Sequence, residues 1–406
     1  MTGQAKAAIS RAVKRQRADR GRVLAVVPTD CSFEHMAVNQ RLRALVEVAE
    51  VDIIASYPAS FPLDLRNRAR IRGFLLSEHI PIAAARLLVF SAQVAVWAAL
   101  QRIRRPYRII YTFQDTSACV GLIMRGQGTR WVMDILDDPS LELRNAEQQG
   151  RRLKAAVLRL RGRLIGRMPR SADLVVTIGC ADEDPLPLMI RQRYRVRQDR
   201  LLPLPQAINT ADLAAAARPY RPPSGKRTVF YVGWVSALRG VDTLIQAADL
   251  LRGKGENLEL RLAGTLKDSE VGLRGDIEAR PYVSYLGILP SAKVRAEVLS
   301  ADICCCPFPD REELAPVQPV KVLEYLALGR PTVGSRTYGM ASMIVHERSG
   351  LLATPGSPDS FADAFARIFN DERLAARLAE GARVRASAFD VGHVNKDLQR
   401  RLSPWL

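Results

Sequence analysis

A strand-like run followed by glycines forms the first candidate site, in the C-terminal half of the sequence. The run TVFYV leads directly into Gly233, and Arg239 and Gly240 open an amphipathic helix a few residues later. Glycine at such a turn lets a phosphate approach the backbone and the helix N-terminus, and Arg239 would supply the counter-charge. The segment predicts a phosphate-binding turn, although an ordinary strand-to-helix connection has the same glycines.

A second candidate site lies in APVQPVKVLEYLALGRPTVGS, residues 315–335. Two prolines keep the approach extended, a helix follows, and Gly329 ends it. Lys321 and Glu324 are three residues apart and share one face of the first helical turn. A cation there is electrostatically unfavourable unless an anion is bound, and Glu324 could accept hydrogen bonds from a ribose diol. The alternative is a surface Lys–Glu pair that contributes about a few tenths of a kcal/mol.

Loops that follow predicted strands in the N-terminal half carry a third set of candidates. His35 lies in the loop after the first strand, Asp115 lies in FQDTSA, and Asp134 begins DILDDPS. Carboxylates at the ends of parallel strands could orient a substrate hydroxyl, and His35 could touch the substrate. Alternatively, His35 could be a structural residue, as a lone histidine more often is, and Asp134 could cap a turn.

The elements that would position these residues form two series of alternating strands and helices. Such alternation is typical of βαβ units around a parallel sheet. In the first series, strands are predicted at 22–28, 51–56, 107–112, 130–133 and 173–178, and helices at 38–47, 83–103, 117–124 and 153–168. In the second, strands are predicted at 228–232, 258–263, 283–286, 303–307 and 331–334, and the chain is helical after residue 361.

Prolines and a Ser-Gly pair between the two series predict a linker at 214–226. We expect a basic tail at 1–21, one domain at 22–213, a second at 227–390, and a C-terminal helix at 391–406 that packs back on the first domain. Two parallel-sheet domains joined in this way present the carboxyl ends of their strands to a shared ligand site. The sequence therefore predicts an α/β fold of two doubly wound Rossmann-like domains facing a central cleft.

The composition excludes several other classes of protein. Apolar residues make up 48% of the 406 residues and charged residues 25%, which excludes disorder, collagen and coiled coil. No G-x-G-x-x-G follows the first strand and no P-loop occurs, which disfavours dinucleotide oxidoreductases and P-loop ATPases. Six cysteines, three of them consecutive at 304–306, and four scattered histidines suit neither disulfides nor zinc. We expect a reducing compartment and no metal site.

The formal net charge of +18 favours an anionic partner. Between Arg151 and Arg170 there are eight cations, no acidic residue and apolar residues at helical spacing, which suits a helix lying on an anionic membrane surface. A solvated basic face explains the stretch equally well. Aromatic residues are only 6% of the chain and are absent from this stretch, which disfavours nucleic acid. The N-terminus lacks the apolar core of a signal peptide, so we expect a cytoplasmic protein that is peripheral on the inner face of the membrane if the basic segments bind lipid.

Six segments, in their order and spacing, resemble the donor-nucleotide domain of retaining GT-B glycosyltransferases of the family 4 type, the glycosyl transferases group 1. They cover about 228–389 and read GWVSALRGVDTLIQA, LRLAG, VSYLGILP, ADICCCPF, PVKVLEYLALGRPTVGS and GLLATPGSPDSFADAFARI. The N-terminal half is similar in architecture and in pieces such as LLPLPQAINTADL. The resemblance therefore rests mainly on the C-terminal half.

The resemblance implies a nucleotide-sugar site and assigns residues to it. Glu324 matches the second Glu of the family's E-x7-E motif, which holds the ribose, and Arg239 matches the basic residue that contacts the diphosphate. Lys321 fits a variant that reads P-x-K-x-x-E-Y, and we expect Arg239 and Lys321 to be catalytic because they would stabilise charge on the departing diphosphate. The matched segments add backbone around the base at Leu286, Gly287 and Leu289, the loop beneath the phosphates and sugar at Gln318 and Val320, and Gly233, Ser236 and Gly264.

Three positions depart from the family pattern. Pro316 stands where the first Glu of E-x7-E falls, so that Glu312 or Glu313 would have to replace its contact with the donor sugar. Trp234 stands where many members have a phosphate-binding Arg, and Ser342 stands where a Glu commonly follows the Gly-rich turn. A histidine often used in the acceptor domain has no evident match.

The resemblance implies transfer of a hexose from a nucleotide-sugar donor, UDP- or GDP-linked, to an acceptor hydroxyl with retention of anomeric configuration, without metal or cofactor. We expect a glycan or lipid-linked acceptor in cell-surface glycan or glycolipid synthesis, with His35, Asp115 and Asp134 on the acceptor side. Two alternatives remain open. One is glycosylation of a secondary metabolite, and the other is a catalytically weakened GT-B scaffold that binds anionic glycan or lipid.

Overall fold

The structure is a computed structural model that describes residues 21–28, 36–73, 106–114, 117–126, 128–138, 141–148, 150–220 and 225–406, together with positions 89–90, 92–94, 96–97 and 99–100. The predicted basic tail, apart from Gly21, lies outside the described residues. So do His35, Asp115 and most of the helix predicted at 83–103.

The first compact unit comprises the chain up to Pro205 together with residues 394–406. Its described strands are β1 Arg22–Val27, β2 Glu50–Ala55, β3 Arg70–Gly73, β4 Ile109–Phe113, β5 Arg130–Ile135, β6 Leu174–Ile178 and β7 Leu201–Leu204. Its described helices are α1 Met36–Val48, α2 Leu63–Arg68, α3 Ala118–Met124, α4 Leu141–Gln148, α5 Arg152–Ile165 and α6 Pro185–Tyr194. All the strand pairs are parallel, in the order β3-β2-β1-β4-β5-β6-β7.

The second compact unit comprises residues 206–393. Its described strands are β8 Arg227–Val232, β9 Leu258–Ala263, β10 Val283–Tyr285, β11 Ile303–Cys306, β12 Thr332–Ser335 and β13 Leu351–Ala353, all parallel in the order β10-β9-β8-β11-β12-β13. Its described helices are α7 Thr210–Ala216, α8 Val241–Gly253, α9 Val271–Glu278, α10 Ser291–Ser300, α11 Val320–Ala327, α12 Tyr338–Met343, α13 Pro358–Asn370 and α14 Glu372–Ala386. A last helix, α15 Val391–Leu402, begins in this unit and lies mostly in the first.

Central strands of both sheets are buried on both faces, as parallel sheets flanked by helices require. In β1, residues 23–27 have no exposed surface, and the three consecutive cysteines fill β11 in the same way. Burial raises the pKa of the Cys305 thiol well above its ordinary value, so these cysteines are neutral apolar residues of the core.

Three strands are not predicted by the sequence patterns: β3, β7 and β13. Each lies at the edge of its sheet, where one side of the strand is unpaired and a long apolar run is not needed. Another strand is longer than predicted, because β5 continues through Asp134 to Ile135.

The division between the units falls after Pro205, earlier than the predicted linker at 214–226. The reason is hydrogen bonding within the second unit, because the Ile208 N–H donates to Phe389 O at 3.0 Å and the Thr210 hydroxyl donates to Asp390. The C-terminal residues belong to the first unit, where the Gln399 side-chain amide donates to Ala44 O at 3.0 Å. Among the described helices, none has both the length and the hydropathy that crossing a membrane requires.

Candidate functional site

The predicted site residues of the second unit converge where its strand order reverses, between β8 and β11. Open parallel sheets bind ligands at the carboxyl ends of the strands next to such a reversal. The turns after β8, β9 and β10 are joined by backbone hydrogen bonds, from Gly233 N–H to Ala263 O at 2.9 Å and from Gly264 N–H to Gly287 O at 2.7 Å. These bonds fix the backbone at this edge.

Two glycines allow close backbone packing at this edge. Gly264 has φ +119°, and a Cβ there would overlap the Gly233 carbonyl. Gly240 has φ +78°, and a Cβ there would overlap the Pro307 carbonyl after β11. The start of α8 therefore lies directly against the end of β11, which only glycine permits.

Lys321, in the first turn of α11, reaches the end of β8. Its Nζ atom lies 4.2 Å from the centroid of the Tyr231 ring, and it is so close to Gly233 that a Cβ on that glycine would fall within 3.0 Å of it. The Tyr231 hydroxyl donates to Trp234 O at 2.8 Å. Burial raises the pKa of Tyr231, and the neighbouring Lys321 charge opposes that rise. Within the described part of the chain, no carboxylate forms an ion pair with Lys321.

Glu324 lies three residues further along α11, on the same face as Lys321, and is half-buried. Burial raises the pKa of its carboxyl, and the charges of Arg295 and Lys321 act in the opposite direction. No described residue donates a hydrogen bond to this carboxylate, so its oxygens can accept hydrogen bonds from a ligand diol.

Arg239 lies in the single turn that precedes α8. Its guanidinium carbon is 5.6 Å from the Trp234 ring centroid and 5.5 Å from that of Phe308. The Arg239 N–H donates to Ser236 O at 3.0 Å. The Ser236 hydroxyl is buried without a hydrogen-bond partner, and a buried polar group of this kind calls for an explanation such as a ligand or a water.

Gln318 shapes the loop before α11. Its Nε2 donates to the Ser342 hydroxyl at 2.9 Å, and its Oε1 accepts from the Gln206 N–H at 3.1 Å. Both polar atoms of the Gln318 side chain therefore form hydrogen bonds with other residues of the protein. Three other predicted residues place their side chains, half-buried, against the apolar core, so that a ligand would meet their backbone: Leu286, Leu289 and Val320.

Glu312 and Glu313 are the candidates to replace the first Glu of the E-x7-E motif, and they differ in their surroundings. Glu313 forms an ion pair with Arg311, whereas Glu312 is exposed. Pro316 places its carbonyl against Gly339, at the start of α12. Glu312 is therefore the candidate whose carboxylate is the more accessible.

In the first unit, Asp134 is placed differently from the expectation. Because β5 runs through it, its side chain points into the core, and it has no exposed surface. The Tyr111 hydroxyl donates to its Oδ2 at 2.6 Å, and Arg41 Nε lies 3.6 Å from the same oxygen. Burial raises the pKa of Asp134, although the charge of Arg41 lowers it. Asp134 is not accessible to an acceptor, and His35 and Asp115 lie outside the described residues.

Sequence reasoning missed two side chains at the site. The Tyr325 hydroxyl accepts a hydrogen bond from the Val232 N–H at 3.2 Å. The position of this tyrosine directly after Glu324 was the sequence signal that could have identified it. Lys267 Nζ lies 4.6 Å from the centroid of the Trp234 ring, and no motif marks it. In the described ranges, no group of His, Cys, Asp or Glu side chains is arranged to hold a metal ion.

Comparisons with known proteins agree on the type of fold. The family model for glycosyl transferases group 1 matches residues 215–385. The chain is similar to sucrose-phosphate synthase from Thermosynechococcus elongatus, with TM-score 0.71, 18% identity and coverage of 94% of this chain and 98% of that one. It is also similar to Anabaena HepE in complex with UDP and glucose, with TM-score 0.66, 17% identity and coverage of 95% and 100%.

Curated relatives match part of the chain. D-inositol 3-phosphate glycosyltransferase of Pseudarthrobacter chlorophenolicus is 28% identical over 205 residues, 48% of this chain and 47% of the relative. Alpha-D-kanosaminyltransferase of Streptomyces kanamyceticus is 28% identical over 159 residues, 38% of this chain and 39% of the relative. The chain thus spans about half the length, or less, of these relatives. The fold is that of the GT-B glycosyltransferases, two Rossmann-like α/β domains.

Proposed function

We propose that this protein is a GT-B glycosyltransferase of the family 4 type, which moves a hexose from a nucleoside diphosphate sugar to an acceptor hydroxyl with retention of configuration. One observation carries the proposal. The ammonium of Lys321 lies next to Gly233, where the strand order reverses, and it forms no ion pair with any described residue. A helix N-terminus disfavours a cation by its dipole. A bound diphosphate would remove this conflict.

Each neighbouring group has a role under this proposal. Departure of the diphosphate builds negative charge, which Lys321 and Arg239 would stabilise; losing one preorganised contact of this kind typically costs about 3–4 kcal/mol. Glu324 would accept the ribose hydroxyls. Ser236, whose buried hydroxyl lacks a partner, would hydrogen-bond a phosphate oxygen.

The proposed reaction needs no metal ion, because the cations of the chain neutralise the leaving group. Turnover should therefore persist after EDTA treatment, and loss of activity that Mg²⁺ or Mn²⁺ restores would overturn this part of the proposal. Retention is inferred from the family resemblance. It is tested by proton NMR of slow donor hydrolysis, in which the sugar first released should keep the configuration of the donor.

The first experiment is a thermal-shift screen against UDP, GDP, ADP and TDP. A ligand at 100 times its Kd adds about 2.7 kcal/mol of stability, so the correct nucleotide should raise the melting temperature visibly. Lys321→Ala, Arg239→Ala and Glu324→Ala should reduce that shift, whereas Lys254→Ala, an exposed lysine beyond the far end of α8, should not. No shift with any nucleotide would contradict the proposal. A shift without transfer or donor hydrolysis would favour the non-catalytic scaffold.

We propose that the acceptor is a glycan or a lipid-linked glycan, reached at an anionic membrane surface. The supporting observation is α5, on which Arg152 and Arg163 are exposed and Leu160 is 57% exposed. Arg159, on the same helix, is paired with Glu147 at 2.8 Å. Each basic residue near an anionic bilayer contributes about 1 kcal/mol, so exposed cations and an exposed apolar side chain on one helix suit such a surface.

Vesicle co-sedimentation tests this association. Wild type should bind phosphatidylcholine vesicles that contain phosphatidylglycerol and not pure phosphatidylcholine. Arg152→Glu combined with Arg163→Glu should weaken binding at least tenfold, whereas Arg373→Glu combined with Arg377→Glu, a matched exposed pair on α14, should not. Equal binding by both double variants would assign α5 to a solvated face instead.

A further inference from the structure

An exposed tryptophan with a cation from each of two loops lies at the carboxyl edge of the second sheet. Trp234 follows β8 and is 45% exposed. Lys267 Nζ lies 4.6 Å from its ring centroid, and Arg239 Cζ lies 5.6 Å from it. Lys267 comes from the loop after β9, so the ring joins two segments that are distant in sequence. Cations placed over an aromatic face are held by the ring quadrupole.

Two acidic residues follow Lys267 closely in the chain, and neither forms an ion pair with Lys267 or Arg239. Asp268, next to Lys267, lies 3.5 Å from Arg274 in an ion pair. Glu270 accepts the Ala237 N–H at 3.4 Å. Neither Lys267 nor Arg239 forms an ion pair anywhere in the described part of the chain, so two cations without an ion-pair partner lie at one ring.

The backbone fixes the loop of Lys267 to the loop of Trp234. The Val235 N–H donates to Thr265 O at 2.8 Å, two residues before Lys267. On the other side, the Trp234 carbonyl accepts a hydrogen bond from the Tyr231 hydroxyl. The ammonium of Lys321 lies over the Tyr231 ring. Three cations, two from loops and one from the first turn of α11, are thereby connected through two aromatic residues.

Like charges held together without counter-ions repel one another, and an anion carrying at least two charges is the ligand that relieves the repulsion. We infer that Lys267 is a further phosphate-binding residue of the nucleoside diphosphate site, and that Trp234 positions its ammonium. This inference rests on the proposed function, and it adds to that function a cation that no sequence motif marks. A lysine ammonium suits the task because it is a compact point charge with three donors on a flexible stem.

The test compares a nucleoside diphosphate with its own nucleoside by calorimetry. The probe is whichever of UDP, GDP, ADP and TDP stabilises wild type, together with the matching nucleoside, which lacks the phosphates. Lys267→Ala should weaken diphosphate binding about tenfold or more and leave nucleoside binding unchanged. Lys254→Ala should change neither. A merely structural role for Lys267 would weaken both ligands equally.

The role of Trp234 is tested by two substitutions. Trp234→Phe keeps an aromatic face and should retain most of the diphosphate affinity, whereas Trp234→Leu should lose it. In a Lys267→Ala background there is no ammonium left to position. The losses of diphosphate affinity caused by Trp234→Leu and Lys267→Ala should therefore add up to more than the loss in the double variant. Full additivity would overturn the positioning role.

The outcomes separate this inference from the proposed function. If wild type binds no nucleoside diphosphate, both are overturned. If wild type and Lys267→Ala bind the diphosphate equally while Lys321→Ala loses it, the proposed function stands and the role of Lys267 is overturned.

Discussion

Replacing Gly233 by alanine should displace the ammonium of Lys321 while residue 321 itself stays unchanged. The new Cβ would fall within 3.0 Å of Nζ and 3.2 Å from the Tyr231 hydroxyl. To regain an ordinary contact of 3.4 Å, the ammonium has to withdraw by about 1 Å. A displacement of about 1 Å at a positioned group can cost about 100-fold in rate, so we expect a loss of at least tenfold in affinity for the nucleoside diphosphate.

The same substitution also strains the backbone. Gly233 has φ +143°, a conformation that costs a non-glycine residue about 1–3 kcal/mol. Gly255→Ala is the matched control, because Gly255 has φ +90° and no atom within 4 Å of its would-be Cβ. It should lower stability by a similar amount and leave nucleotide affinity unchanged. Folding is measured by denaturant unfolding and affinity by calorimetry.

A double-mutant cycle isolates the proposed cause. In a Lys321→Ala background there is no ammonium to displace, so Gly233→Ala should reduce affinity little further. The reasoning would be refuted if Gly233→Ala bound nucleotide like wild type while Lys321→Ala did not. It would also be refuted if Gly233→Ala lowered affinity equally in both backgrounds.

Two further predictions concern buried charges. Burial raises the pKa of Asp302 to about 6, above its unfolded value, so stability that is present below about pH 4 should be lost as the pH rises through about 6. Between about pH 3 and about pH 7, wild type should therefore lose about 3 kcal/mol of stability relative to Asp302→Asn in denaturant titrations, and a constant difference would exclude this titration. Arg41→Met should lower the free energy of unfolding by about 3–5 kcal/mol near neutral pH, because the buried Asp134 carboxylate then loses its ion-pair partner. Because burial already raises the pKa of Asp134, this cost should shrink as acid protonates the carboxyl, and a cost independent of pH would contradict the charge explanation.

The alternation of short apolar runs and helical segments was sufficient to predict two parallel sheets. It succeeded for central strands such as β1 and β11, since a strand covered by helices on both faces needs a nearly continuous apolar sequence. It missed β3, β7 and β13, which lie at sheet edges. There a short strand such as LLPL can contain Pro203, because an edge strand can lack one N–H donor without breaking the sheet.

Asp134 was expected on the acceptor side because the strand was predicted to end before it. The polar residue after an apolar run suggested the end of a strand, but β5 continues two residues further than predicted. Side chains alternate between the two faces of a strand, so this extension turned the carboxylate into the core. Sequence periodicity is weakest at such boundaries.

The candidate site divides in the same way between sequence and tertiary structure. Sequence alone determined that Lys321 and Glu324 share one helical turn, because three-residue spacing on a helix fixes that relation. Only the tertiary structure decided that Lys321 meets Gly233 and that Lys267 meets Trp234. These partners come from separate βαβ units, and their contact depends on the strand order and on the hydrogen bonds between the turns at the sheet edge, which local sequence does not specify.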